Sequence, residues 1–283
     1  MRHSEDKAIA DPHTTAGWRA GSSGNSAPRH AALVVAHPGH ELRVHHWLER
    51  TRAKVLVLTD GSGGAGASRL ASTTAVLART GAVPGPLYGR LSDRALYAAL
   101  LAGDLPLFRA LAAEIVAALR DLGAQVVAGD AIEGYNPSHD VCRLLVDAAV
   151  ARLAAEGLPV ANLEFPLDAA PEPLAARDRE GGVELTLDDA ALDRKLAAAF
   201  AYPELREETE AALARFGPER FRLETLRPAR SGALCDRHPM PPYYETYGER
   251  QVAAGRYSEV LRCARHVEPV ALDLAAWAAD GAA

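Results

Sequence analysis

Three of the ten histidines in this 283-residue chain stand where a metal-binding site would need them. His37 closes the apolar run ALVVA, His40 follows three residues later at the start of a helical stretch, and His139 opens a helix after AQVVAGDA. Neutral imidazole is a common ligand for zinc. Two rings separated by one turn of chain, with a third from a neighbouring strand end, can form a facial set around one ion. A lone histidine at a helix start more often caps or faces solvent, and HxxH arises widely by chance, so the three carry weight only together. Glu41, Asp60 and Asp140 are the carboxylates nearest in sequence to those ends, and are the candidate acid–base groups.

The surrounding sequence supplies the elements that would position these residues. AALVV and KVLVLT are buried runs of strand length rich in β-branched residues; HELRVHHWLERTR and SRLASTTAVLART have helical spacing. The Gly/Pro-rich GAVPGPLYG reads as a connection, followed by helical stretches at about 92–101 and 105–122. AQVVAGDA, the turn EGYNPSHD, the helix VCRLLVDAAVARLAAEG and the run LPVANLEFP complete an alternating pattern. That pattern predicts a Rossmann-like α/β fold, with a parallel sheet flanked by helices and ligands at the carboxyl ends of the strands. Beyond residue 167 the pattern is less regular: VELTL and FRLETLRP read as strands, and the stretch between them as helix broken near Pro203. The expected organisation is an N-terminal extension over 1–30 and one domain over 31–283. Within that domain, 31–167 forms the sheet core and 168–283 lines the pocket.

Composition narrows the classes of function. Hydrophobic residues at 48% and charged residues at 24% are those of an ordinary globular protein. Thirty-one Lys and Arg against 37 Asp and Glu leave a formal charge of −6 and no basic stripe, so nucleic acid is not an expected partner. Three cysteines without CxxC spacing suggest neither a disulfide framework nor a thiolate zinc site. No membrane span or signal peptide is expected, and the cytoplasm is the default compartment. GSGGAG lacks the GKS/T or GxGxxG context of a phosphate cradle, which excludes a nucleotide site.

The order VVAHPGHE, VLVLTDGSGG, Arg69, GYNPSHD and KLAAAFAYPEL resembles the LmbE-like, or PIG-L, family of metal-dependent N-deacetylases from about residue 31 to 217. That family carries AHPDDE after the first strand, a TDGE-like turn after the second and an HPDH-like motif opening a later helix. The resemblance implies that His37 and His139 bind metal, with His40 replacing a liganding aspartate. It also implies a substrate contact for Arg69. Gly39 stands at the family's general base, Asn136 at its oxyanion-stabilising histidine and Ser138 at the aspartate of HPDH. Asn136 can donate a hydrogen bond to an oxyanion but cannot donate a proton.

The implied function is metal-dependent hydrolysis of an amide C–N bond in a small polar metabolite. Zinc is the expected ion and iron the alternative, because three histidines with open positions also suit redox or lyase chemistry in specialised metabolism. A catalytically inert binding protein on the same scaffold is the third reading. Tyr135, Tyr243, Tyr244, His238 and His266 are candidate substrate contacts, since clustered polar aromatics line polar pockets as well as domain interfaces. Homo-oligomerisation is left open, with the N-terminal extension able to dock on a second copy.

Overall fold

The computed structural model describes residues 30–63 and 66–280. The expected extension over 1–30 lies outside the described residues apart from His30, whose carbonyl accepts the Gln125 N–H at 2.8 Å.

The strands are β1 (Ala31–Val35), β2 (Lys54–Thr59), β3 (Val83–Leu91), β4 (Val126–Asp130), β5 (Ala161–Phe165), β6 (Val183–Thr186) and β7 (Leu223–Pro228). The α-helices are α1 (His45–Thr51), α2 (Leu70–Thr80), α3 (Asp93–Ala102), α4 (Leu105–Leu122), α5 (Pro137–Ala155), α6 (Asp189–Phe200), α7 (Arg206–Phe216), α8 (Leu234–Arg237), α9 (Tyr243–Ala253) and α10 (Glu268–Ala279). The sheet order is β3-β2-β1-β4-β5-β7-β6. The first five strands are parallel, while β7 is antiparallel to both β5 and β6. The fold is α/β and Rossmann-like, as the alternating pattern predicted.

Alternate residues of β1 face opposite layers. Ala32 and Val34 pack with α3, α4, α5 and α10, whereas Leu33 and Val35 pack with α1, α2 and α6. A strand covered on both faces must be apolar throughout, which is why AALVV shows no alternation. Polar side chains start the helices: Ser92 accepts the Ala95 N–H, Asp104 that of Leu107 and Asp188 that of Ala191.

The GAVPGPLYG stretch corrects the expectation of a connection, because residues 83–91 form β3. This strand lies on the sheet edge, where prolines at 84 and 86 remove no ladder bond on the open side. Gly85 permits close approach to β2: a Cβ there would lie 2.9 Å from Leu56 Cδ1.

Strand order reverses between β1 and β4, whose neighbours lead away in opposite directions. The crevice at their carboxyl ends is the switch point where ligands bind in such sheets. His37 leaves β1 there, and His139 enters α5 after β4.

Candidate metal centre

Gly39 turns the chain between the first two histidines with φ 107°, a conformation that side-chain-bearing residues rarely adopt. The next residue starts a 3-10 helix over His40–Val44, so His37 and His40 come from opposite sides of one tight turn. His139 is brought in by the first turn of α5, where Asn136 Oδ1 accepts the Ser138 N–H at 2.9 Å and Pro137 takes the first helical position.

The three rings meet. Their centroids lie 5.3 Å apart for His37–His40, 5.2 Å for His37–His139 and 4.6 Å for His40–His139, all edge to face. Two imidazoles sharing one zinc ion at about 2.0–2.1 Å with tetrahedral angles have centroids about 5 Å apart. The ring spacing is of that size, but among the described residues no group of three or more His, Cys, Asp or Glu is arranged so that it could hold a metal ion.

Carboxylates support two of the rings. His37 Nδ1 is 2.7 Å from Thr59 Oγ1 and 3.0 Å from Asp93 Oδ1, and His40 Nδ1 is 3.0 Å from both oxygens of Asp130. Asp93 Oδ2 also accepts the Gly63 N–H at 2.6 Å, and Asp130 Oδ2 the Ala36 N–H at 2.7 Å. A carboxylate behind Nδ1 fixes ring and tautomer and turns Nε2 toward a ligand. His37 Nε2 and His139 Nδ1 are buried with no hydrogen-bond partner.

Burial holds the pKa of His37 below its ordinary value, against the pull of Asp93, and that of His139 further below, helped by the neighbouring rings. Both stay neutral at neutral pH and keep a lone pair to offer. At Asp93 burial pushes the carboxyl up, but hydrogen bonds with His37, Thr59 and the Gly63 N–H outweigh it and hold the group well below the usual range, so Asp93 is a weak base.

No family model matches the chain, and no curated protein does. Among solved structures it is similar to the conserved protein TT1542 from Thermus thermophilus, at 19% identity over 71% of this chain and 93% of that one, with a TM-score of 0.46.

The other candidate residues have different partners. Fully buried Glu41 accepts the Gly39 N–H at 2.7 Å, and burial raises its pKa; it braces the turn from behind. Asp60 accepts the Ser62 N–H at 2.9 Å, an Asx-turn. Asp140 accepts the N–H groups of Glu133 and Gly134 and lies 4.0 Å from His238 Nε2, with burial pushing its pKa up to about 7. His238 Nδ1 contacts the Pro239 carbonyl, and His266 Nδ1 accepts the Arg262 N–H. Tyr244 is buried, while Tyr135 and Tyr243, each 45% exposed, stack at 5.1 Å with planes 5° apart. Two groups that the sequence reading missed, Asp93 and Asp130, hold the histidines instead.

Beside His40 opens a cavity of about 240 Å³. Gly39, His40, Arg43, Arg69, Lys195 and Glu208 line it, with Leu196, Leu205, Leu213 and Phe221 among its apolar walls. Leu205 reaches the point where a Cβ on Gly39 would lie, and Tyr202, whose hydroxyl donates to the Arg69 carbonyl at 3.2 Å, stands beside it. The space beside Gly39 is thus filled by apolar packing.

Proposed function

We propose that the chain is a divergent LmbE-like protein in which His37, His40 and His139 hold a divalent metal, and that it hydrolyses an amide C–N bond. The observation supporting this most is the three-ring cluster at the switch point, with two rings backed by carboxylates and two ring nitrogens buried without partners. When bound, a divalent ion there supplies Lewis-acid polarisation of a carbonyl and a source of hydroxide near neutral pH.

The chain's own groups orient and exclude. Asp93, Thr59 and Asp130 set the rings of His37 and His40. Asn136 Oδ1 is occupied by the Ser138 N–H and the Tyr97 hydroxyl, which leaves its amide N–H groups to donate to an oxyanion. Arg69 offers positive charge at the cavity wall. Leu205 and Tyr202 keep water from the side of Gly39. In the net reaction, water gives its oxygen to the acyl carbon as the C–N bond breaks, and the amine leaves with a proton. A missing general base costs typically about 10²- to 10⁴-fold, so turnover is slow or confined to reactive amides.

The filled space at Gly39 favours a second reading, an iron-dependent redox or lyase centre on the same three histidines, which requires no base at that position. Both readings fit a small-molecule partner and a cytoplasmic location; among the described residues no helix is long and apolar enough to cross a membrane. Elemental analysis of purified protein, followed by assays on N-acylated amino sugars and amino acids, tests them. Zinc with amide cleavage supports hydrolysis, iron with oxidation or elimination supports the second reading, and absence of any stoichiometric metal overturns both in favour of a binding protein.

A further inference from the structure

The cavity beside His40 has a composition that the amide-hydrolase reading does not by itself explain. Its walls come from the 3-10 helix after β1, the loop carrying Leu167, helices α6 and α7, and Phe221. Leu42, Leu167, Leu196, Leu205, Leu213 and Phe221 line it together with His40 and Arg69. A pocket for a purely polar metabolite would carry converging donors and acceptors along its length. Here Arg43, Lys195, Glu208 and Thr209 reach the lining as well as His40 and Arg69, but the exposed wall is mainly apolar.

Two further features point to an amphiphile with an anionic or carbonyl head. Arg69 is half-buried at the wall; its Nε donates to the Gly61 carbonyl at 2.7 Å, and no carboxylate pairs with its guanidinium among the described residues. The neighbouring cation, Lys195, is neutralised by Glu224 at 2.8 Å. Arg43, also on the lining, donates to the Ala169 carbonyl, so Arg69 and Arg43 are the cations without a carboxylate ion pair there among the described residues. In addition, the α6–α7 joint is pressed against the turn between His37 and His40, through Leu205 on Gly39 and Tyr202 on Arg69. The apolar wall thus begins at the proposed metal centre.

We infer that this cavity receives an aliphatic acyl chain, so that the substrate is an N-acyl amide whose carbonyl lies by His40 and Arg69 and whose chain runs along α6 and α7. The inference rests on the hydrolase reading for its chemistry but not for its test. Hydrolysis of such an amide releases a fatty carboxylate, and straight-chain carboxylates from acetate to octanoate probe the cavity directly.

Calorimetric titration of the full chain with acetate, butanoate, hexanoate and octanoate measures the dependence on length. Affinity is expected to rise about three- to fourfold per buried methylene until the cavity is filled. Ala212→Trp, at a half-buried position on the wall, is expected to lower octanoate affinity at least tenfold and leave acetate binding within twofold. Leu213→Ala should flatten the series without blocking it, which guards against a variant that fails to fold. A series flat from acetate to octanoate overturns the inference, and so does a rise that both variants leave unchanged. Cleavage of N-acetyl substrates alongside a flat series would leave the hydrolase reading standing and remove the acyl chain. A rising series without amide cleavage would keep the acyl site and remove the hydrolase.

Discussion

His40 Nδ1 lies 3.0 Å from both carboxylate oxygens of Asp130, a residue 90 positions away in the chain. The end of β4 thereby sets the direction of a ring carried on the turn after β1. Loss of such a supporting carboxylate typically weakens metal binding about 10- to 100-fold. Asp130→Asn and Asp93→Asn are each expected to do so in chelator-competition titrations with zinc, with the fold intact by circular dichroism. Unchanged affinity in both would show that these carboxylates do not support a metal site.

Placing a carboxylate at position 39 is expected to fail at first. Gly39→Asp must place a Cβ at φ 107°, on top of Leu205. Backbone strain and overpacking together predict a loss of about 2–5 kcal/mol in urea unfolding. Adding Leu205→Ala should recover part of that loss and, if zinc is the bound ion, raise amide hydrolysis above that of the parent chain. A single variant as stable as the parent would refute the steric account.

The wall of the cavity depends on one buried ion pair. Lys195 Nζ donates to Glu224 Oε1 at 2.8 Å and to the Arg43 carbonyl at 2.9 Å, while Glu224 also accepts the N–H groups of His46 and Trp47. Removing one partner strands the other charge away from water. Lys195→Met is therefore expected to cost about 3–5 kcal/mol by chemical denaturation.

Acid should weaken the metal-free fold below about pH 6.5, the ordinary value for histidine. Burial lowers the folded-state pKa of His45, as it does for His37 and His139. The unfolded chain takes up protons that the folded chain resists, so this stability is present in full above that pH and is lost as pH falls through the folded-state values. Urea midpoints at pH 7.5 and 5.5 measure the drop, and His45→Gln should make it smaller.

The sheet and the three imidazoles were legible because buried parallel strands are written as continuous apolar runs, and their ends fix where a ligand can sit. β3 was not, because its prolines and Gly85 carry the composition of a loop; only an edge position makes them compatible with a strand. Glu41, Asp60 and Asp140 were chosen for nearness in sequence, yet backbone N–H groups of adjacent turns claim all three. Asp93 reads locally as an acidic helix start. Asp130 carried a usable signal, a charge ending an apolar strand two residues short of level with His37. The role of Leu205 had none, since it depends on how α6 and α7 fold back across the sheet.

The strands that bracket α6 and α7 are antiparallel partners, with Thr186 opposite Leu223 in register. The chain thus departs and returns through one pair of neighbouring residues, while the imidazoles are anchored earlier, beyond the ends of β1 and β4. The hairpin of helices is in effect a cassette: a segment of different length or polarity beyond α6 can be spliced there without re-threading the scaffold, provided the apolar face of α6 and Lys195 stay on the sheet.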